Sequence, residues 1–208
     1  RSQSTQRQSN DPSTSHMNFP AYPEYASSEI WWAQYLPSHW NECRIRQLSP
    51  VLRGASPRPI DDPKYFDEEG QFGWVRISDV TASNGILERT TQRLSELGSS
   101  KTVKIGPGSL FLSIAGSVGK PCITNIHCCI HDGFVYFPRV GRSSKFLYYI
   151  FEGGQSYEGL GKFGTQLNLN TDTIGNIKVP LPPLPEQRTI ADFLDHETAK
   201  IDALIGEQ

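Results

Sequence analysis

No stretch of this sequence is apolar enough for a membrane-spanning helix. Across its 208 residues nothing approaches the roughly 18–20 apolar positions that a bilayer requires, and no secretory leader pattern occurs. Methionine is almost missing, Met17 being the only one. Cysteine is scarce, with Cys43, Cys122, Cys128 and Cys129 alone. In a domain of this size they are expected as reduced cytosolic thiols, not as a disulfide framework. Residues 1–16 hold no aliphatic or aromatic side chain, and Ser15-His16-Met17 has the look of a cloning scar. They are expected to be a vector-derived or disordered leader. A phosphate-binding loop is missing too. The stretch around Gly116, Gly119 and Lys120 offers glycines and a lysine, but the GxxxxGK[ST] pattern meets Ile114 where its first glycine belongs and Pro121 where it needs a hydroxyl.

What is present suits a folded domain: 37% hydrophobic, 11% aromatic and 20% charged residues. The formal net charge of −2 conceals an uneven distribution. Residues 1–69 carry 7 basic and 9 acidic side chains, residues 70–182 carry 11 and 7, and residues 183–208 carry 2 and 6. The mildly basic middle permits a phosphate-facing surface, and the acidic end argues against one there.

The last quarter is the most informative. Ile177 to Ile205 reads IKVPLPPLPEQRTIADFLDHETAKIDALI. Pro180, Pro182, Pro183 and Pro185 bar a regular ladder, so a short strand must end here. Pro185 suits the first turn of a helix, with Glu186 favoured at the same positive end. Beyond it, Ile190, Phe193, Leu194, Ile201, Leu204 and Ile205 fall within about a 120° arc at roughly 100° per residue, a stripe made for packing. The expected fold class is therefore α+β: a β-rich domain with short helices over 17–182, followed by an amphipathic helix over 183–208.

Other segments are expected as follows. Residues 18–40 form an aromatic arm over the core, without a clean period. Arg53-Gly54-Ala55-Ser56-Pro57-Arg58-Pro59 is a loop whose two guanidiniums are either solvated or aimed at phosphate or guanine. Gly73 to Val80 reads as a strand with Trp74, Arg76 and Ser78 on one face. Leu94 and Leu97 suggest a short helix stopped by Gly98, and Ser109 to Ile114 a strand. Phe146 to Phe151 suggests an aromatic helix stopped by Gly153-Gly154. The glycine-punctuated stretch 159–170 carries Lys162, Thr165, Gln166 and Asn168, and its amides have the shape for bidentate pairing with adenine. His127, Cys129 and His131 would share one face of a strand, with the adjacent Cys128 turned the other way. They could supply three metal ligands, although adjacent cysteines lack the usual zinc spacing.

Several of these stretches resemble, in order, the specificity subunits of type I restriction–modification systems. The resemblance rests on Ser28-Glu29-Ile30-Trp31 with His39-Trp40, on Gly73-Trp74-Val75-Arg76-Ile77-Ser78-Asp79, on Gly116 to Pro121, on Gly164-Thr165-Gln166-Leu167-Asn168, and above all on the PLPPLPEQ exit with its helix. The glycine usual after the serine of the first motif is absent. The resemblance implies one target-recognition domain, 17–182, plus the start, 183–208, of a spacer helix of the coiled-coil type. It implies binding without catalysis: reading one half of a bipartite site in double-stranded DNA and docking a methyltransferase subunit. Other implied partners are a restriction subunit in the same complex and a second recognition domain or half-subunit met through the helix. S-adenosylmethionine, ATP and Mg would reside on those subunits, and the location would be the prokaryotic cytoplasm. Expected DNA contacts are Arg53, Arg58, Arg76, Lys120, Lys162, Gln166 and Asn168. Two other readings stand beside it, a metal-dependent hydrolase built on His127, Cys129 and His131, and a protein-interaction module with no DNA role.

Overall fold

The computed structural model describes residues 21–158, 160 and 169–206. The chain opens with a hairpin of β1 (Tyr25–Ile30) and β2 (Ala33–Pro37). Next come β3 (Asn41–Arg44), α1 (Ile45–Leu48), β4 (Leu52–Arg53), β5 (Phe72–Val75), α2 (Ile77–Ala82) and β6 (Ile86–Leu87). They are followed by β7 (Gln92–Leu94), α3 (Glu96–Ser100), β8 (Val103–Ile105), β9 (Leu110–Ser113) and β10 (Pro121–Thr124). The remainder is β11 (Cys128–Ile130), β12 (Phe134–Tyr136), α4 (Ser144–Glu152), α5 (Thr171–Asn176), β13 (Lys178–Leu181) and α6 (Leu184–Gly206). This is the expected mixed fold, a β-rich body with short helices and one long final helix.

Two sheets make the body. One has the order β4-β12-β9-β10-β6, the other β7-β5-β11-β8, and β13 pairs with β3 in a separate ribbon. The five-stranded sheet is covered on both faces, which explains its uninterrupted apolar runs. Leu110, Leu112, Ile123 and Val135 face one layer, with Leu147 and Phe151 of α4 and with Ile45, Ile174 and Val179. The alternate residues Phe111, Cys122 and Phe134 face Val75, Ile105, Cys128 and Ile130 of the other sheet. Cys128 and Cys129 thus diverge: Cys129 packs on the outer face with Trp74 and Leu94, beneath Ile60 and Phe66. All four cysteines are free.

Several local expectations are corrected. The strand from Gly73 stops at Val75, because Arg76 N–H donates to Asp79 Oδ2 at 2.9 Å and starts α2. Asp79 also accepts from Thr91 N–H at 3.2 Å, so a buried carboxylate joins helix to loop. Leu94 belongs to β7 and not to the helix after it, which starts from the Ser95 cap, whose hydroxyl accepts from Gly98 N–H at 3.1 Å. Gly98 lies inside that helix, where a Cβ would stand 2.2 Å from the Tyr65 carbonyl oxygen. Gly98 therefore serves close approach and not termination. The aromatic arm is a hairpin that buries Ile30 and Leu36 and leaves Tyr25, Trp31 and Tyr35 exposed. The run from Ile130 to Phe137 is broken at His131–Gly133, which turns the chain from β11 into β12. Pro180 sits within β13, where a two-stranded ribbon leaves alternate N–H groups without ladder partners.

The start of α6 is fastened to the body by one carboxylate. Glu186 accepts hydrogen bonds from the Tyr22 hydroxyl, from His39 Nε2 at 2.9 Å and from Trp40 Nε1 at 3.0 Å. Burial alone would raise its pKa, but the bonds from Tyr22, His39 and Trp40 outweigh that and hold it below its usual 4.5. Bonding to Glu186, aided by burial, pushes the Tyr22 hydroxyl up to about 12. The next residue, the buried Gln187, donates to the Pro182 carbonyl at 2.8 Å. Further along, α6 lies against α4, where Asp195 pairs with Lys145 and accepts from the Tyr149 hydroxyl at 2.7 Å.

Candidate nucleic-acid interface

The structure places Arg53 and Arg58 together. Arg53 ends β4, and Arg58 follows after a loop strapped to the turn between β11 and β12. Gly54 N–H donates to the Phe134 carbonyl at 2.9 Å and Ala55 N–H to the Ile130 carbonyl at 3.1 Å. A Cβ at Gly54 would come within 2.2 Å of the His131 carbonyl oxygen, so only glycine allows this approach. The two guanidiniums meet one residue. Arg53 Nε donates to the Asp132 carbonyl at 2.5 Å, and Arg58 donates from a terminal nitrogen to Asp132 Oδ2 at 3.0 Å. The Ser56 hydroxyl donates to Asp132 Oδ1 at 2.8 Å. That bond is the largest influence on the carboxyl, and with the charges of Arg58 and Arg53 it outweighs burial and holds the pKa below its ordinary value.

Arg76 leaves the end of β5 beside this turn. Its guanidinium lies over the buried Trp74 ring at 5.8 Å, and its Nε donates to Gln92 Oε1 at 2.9 Å. Strand register puts Gln92, Trp74, Cys129 and Lys104 in one row across the outer sheet face. Lys104 lies over the Phe72 ring at 4.6 Å. The face is thus an aromatic floor carrying cations and an amide, a combination suited to phosphate and base edges.

His131 closes this neighbourhood. Burial depresses its pKa, the Arg76 charge adds to that, and Asp132 opposes it. Its Nδ1 accepts from Gly133 N–H at 2.9 Å, which leaves the neutral ring's proton on Nε2. The other members of the suggested metal set are dispersed. His127 packs edge-on against Phe72, and Cys129 is fully buried. Among the described residues no group of three His, Cys, Asp or Glu side chains could hold a metal ion. The hydrolase alternative has no ligand set there and is not favoured.

The remaining anticipated contacts separate. Lys120 reaches the Thr81 carbonyl at 3.4 Å and lines a different feature, a groove of about 840 Å³ between the body and α6 shared with Lys145, Tyr148, Tyr149 and Asp195. Lys162, Gln166 and Asn168 lie outside the described residues. On α6, Ile190, Phe193 and Leu194 are half-buried, whereas Ile201, Leu204 and Ile205 are exposed at 55%, 65% and 66%. Sequence reasoning did not single out Ser56, Gln92 or Lys104, and it considered Asp132 only beside the metal cluster. Period-2 alternation would have put Lys104 on the outer face of β8, but nothing local links Asp132 to a loop more than seventy residues earlier.

No described helix is long and apolar enough to cross a membrane. Residues 37–207 match the family model for the Type I restriction modification DNA specificity domain. The chain is similar to a protein solved in work on complex assembly and conformational transition of the type I R-M system, at 26% identity and a TM-score of 0.66, over 81% of this chain and 40% of that one. It is similar to the HsdS subunit from Thermoanaerobacter tengcongensis at 25% identity and a TM-score of 0.65, over 83% and 41%. With the type I system S subunit from M. genitalium it shares the fold, at 16% identity and a TM-score of 0.54, over 80% and 41%. The chain spans about two-fifths of the length of these solved proteins. With the family model running from β2 through α6, the chain belongs to the type I restriction modification DNA specificity domain family.

Proposed function

We propose that this chain is a target-recognition unit of a type I specificity subunit, reading one half of a bipartite site in double-stranded DNA. The observation that carries the reading is the exposed pair Arg53 and Arg58 on the turn between β11 and β12, with Arg76 beside that turn and bonded to Gln92, in a domain of this family. Forked guanidiniums suit guanine edges and phosphates, and a side-chain amide suits adenine. In this reading the chain itself catalyses nothing and works in the prokaryotic cytoplasm. A methyltransferase subunit brings S-adenosylmethionine, and a restriction subunit brings ATP and Mg.

The helix α6 is the docking element. Its inner half leans on the body, and its outer half presents Ile201, Leu204 and Ile205 to a partner helix from a second recognition unit and to the methyltransferase. Ile201→Asp is expected to leave the body's unfolding temperature unchanged and to reduce recovery of the complex with the methyltransferase subunit, measured by size-exclusion chromatography. Recovery equal to the parent's would remove α6 from that role.

The test of the main reading is a map of modified adenine in DNA from cells carrying the full-length gene and its neighbouring methyltransferase gene. A split motif is expected. A well-formed complex that adds no methylation would instead favour a protein-interaction module without a DNA role.

A further inference from the structure

Asp132 is out of place on a surface meant for a polyanion. Its carboxylate is ionised, its side chain is 38% exposed, and phosphates would repel it. Stability does not account for it, since the Arg58 side chain is 72% exposed and such surface pairs contribute little. What the carboxylate does is geometric. Arg53 and Arg58 stand five positions apart in a loop, and each long side chain has rotamer entropy to lose on being ordered. Asp132 takes one nitrogen from each, through its backbone carbonyl and through Oδ2. A guanidinium carries five N–H donors, so both forks retain donors for a bidentate partner. Ser56 fixes the other carboxylate oxygen, and the backbone bonds of Gly54 and Ala55 fix the loop against the turn.

We propose that Asp132 is a positioning residue for DNA reading, which presents Arg53 and Arg58 to the duplex as one pre-ordered pair of guanidinium forks. This deepens the DNA-reading proposal above and rests on it. Ordering the arginines before contact lowers the entropy lost on binding and restricts which base edges or phosphates the pair accepts. The residue therefore acts on discrimination more than on raw affinity.

Charge and position predict opposite outcomes. If Asp132 only repels phosphate, its removal tightens binding to every duplex and leaves preference intact. If it positions the arginines, its removal lowers preference even where non-specific binding rises.

The experiment uses the full-length subunit in complex with its methyltransferase and a randomised duplex library, with Asp132→Asn, Asp132→Ala, Arg53→Ala and Arg58→Ala compared with the parent. Asp132→Ala is expected to lower the ratio of affinities for selected over random duplex by about tenfold, the scale of one lost bidentate contact, and Asp132→Asn, whose amide oxygen still accepts from Arg58, by less. They should relax the base positions that Arg58→Ala relaxes, whereas Arg53 keeps its bond to the Asp132 backbone carbonyl in either variant. Thermal unfolding within about 2 °C of the parent is expected for Asp132→Asn, which keeps the side chain's size. Should Asp132→Ala fail to fold, Asp132→Ser decides, because its side chain is too short to reach Arg58 where Oδ2 does. Discrimination within twofold of the parent in Asp132→Ala, or in Asp132→Ser where that decides, overturns the positioning role while leaving DNA reading intact. A parent complex that selects no sequence overturns both.

Discussion

The carboxylate of Glu186 holds the first turn of α6 to the body, and Glu186→Ala measures how strongly. Three donors converge on it, Tyr22, His39 and Trp40. Hydrogen bonds to a charged acceptor contribute about 1.5–3 kcal/mol each when well shielded. Here water can replace part of the loss, because the side chains of Glu186 and His39 are 21% and 48% exposed. The placement at a helix N-terminus adds about 0.3–1 kcal/mol. Discounting for exposure and for non-additivity leaves a loss of about 2–3 kcal/mol. At about 2–4 °C per kcal/mol for a domain of this length, the midpoint should fall by about 4–12 °C. Calorimetry gives that shift, and amide exchange over 184–190 and 37–41 shows whether the loosening is local. A midpoint within about 1 °C of the parent, with unchanged exchange, would refute the fastening role. The pH dependence follows from the same bonds. The folded pKa of Glu186 lies below 4.5, so its contribution is present above that value and is lost as pH falls through the folded pKa. Tyr22 is raised from 10.0 to about 12, so its contribution is full below pH 10 and is lost as pH climbs towards 12. The fastening should therefore be flat across neutral pH and fail at both extremes.

Other consequences are as direct. Gly98→Ala would push a methyl group to 2.2 Å from the Tyr65 carbonyl oxygen, backbone against backbone. A loss of about 1–3 kcal/mol in urea unfolding is expected despite alanine's better helix propensity, and a neutral or stabilised variant would contradict this packing. Burial raises the thiols of Cys122 and Cys128 to about 11 and 12. At pH 8 neither should take up iodoacetamide in the native protein, and both should after unfolding; peptide mapping of the alkylated chain reads this directly.

Much of the plan was legible because it is local. The proline block and the apolar stripe of α6 announce a strand exit and a packing helix through φ restriction and a 3.6-residue period, which need no knowledge of the rest of the chain. Strand β9 and helix α4 were readable for the same reason. The errors arose where one side chain redirected the backbone. Gly73 to Val80 carries a good strand pattern, yet Asp79 reaches back to the Arg76 amide and converts its second half into α2. Gly98 resembles a helix stop, but its lack of a side chain serves a contact with Tyr65, a residue distant in sequence.

The sequence by itself determined the class of the fold, the long final helix, the family resemblance and the kinds of side chain available for DNA. Composition, periodicity and turn chemistry are carried by neighbours along the chain. Tertiary structure alone decided which of those side chains act together. It brought Arg53 and Arg58 to Asp132, set Arg76 over Trp74 and beside Gln92, and sent Lys120 to a groove beside α6. It also packed His127 against Phe72 and set Cys129 and His131 against Trp74, with no group able to hold a metal ion among the described residues. Such groupings depend on strand register and on loops that close over many residues, and no periodicity in the sequence records which strand will lie beside which.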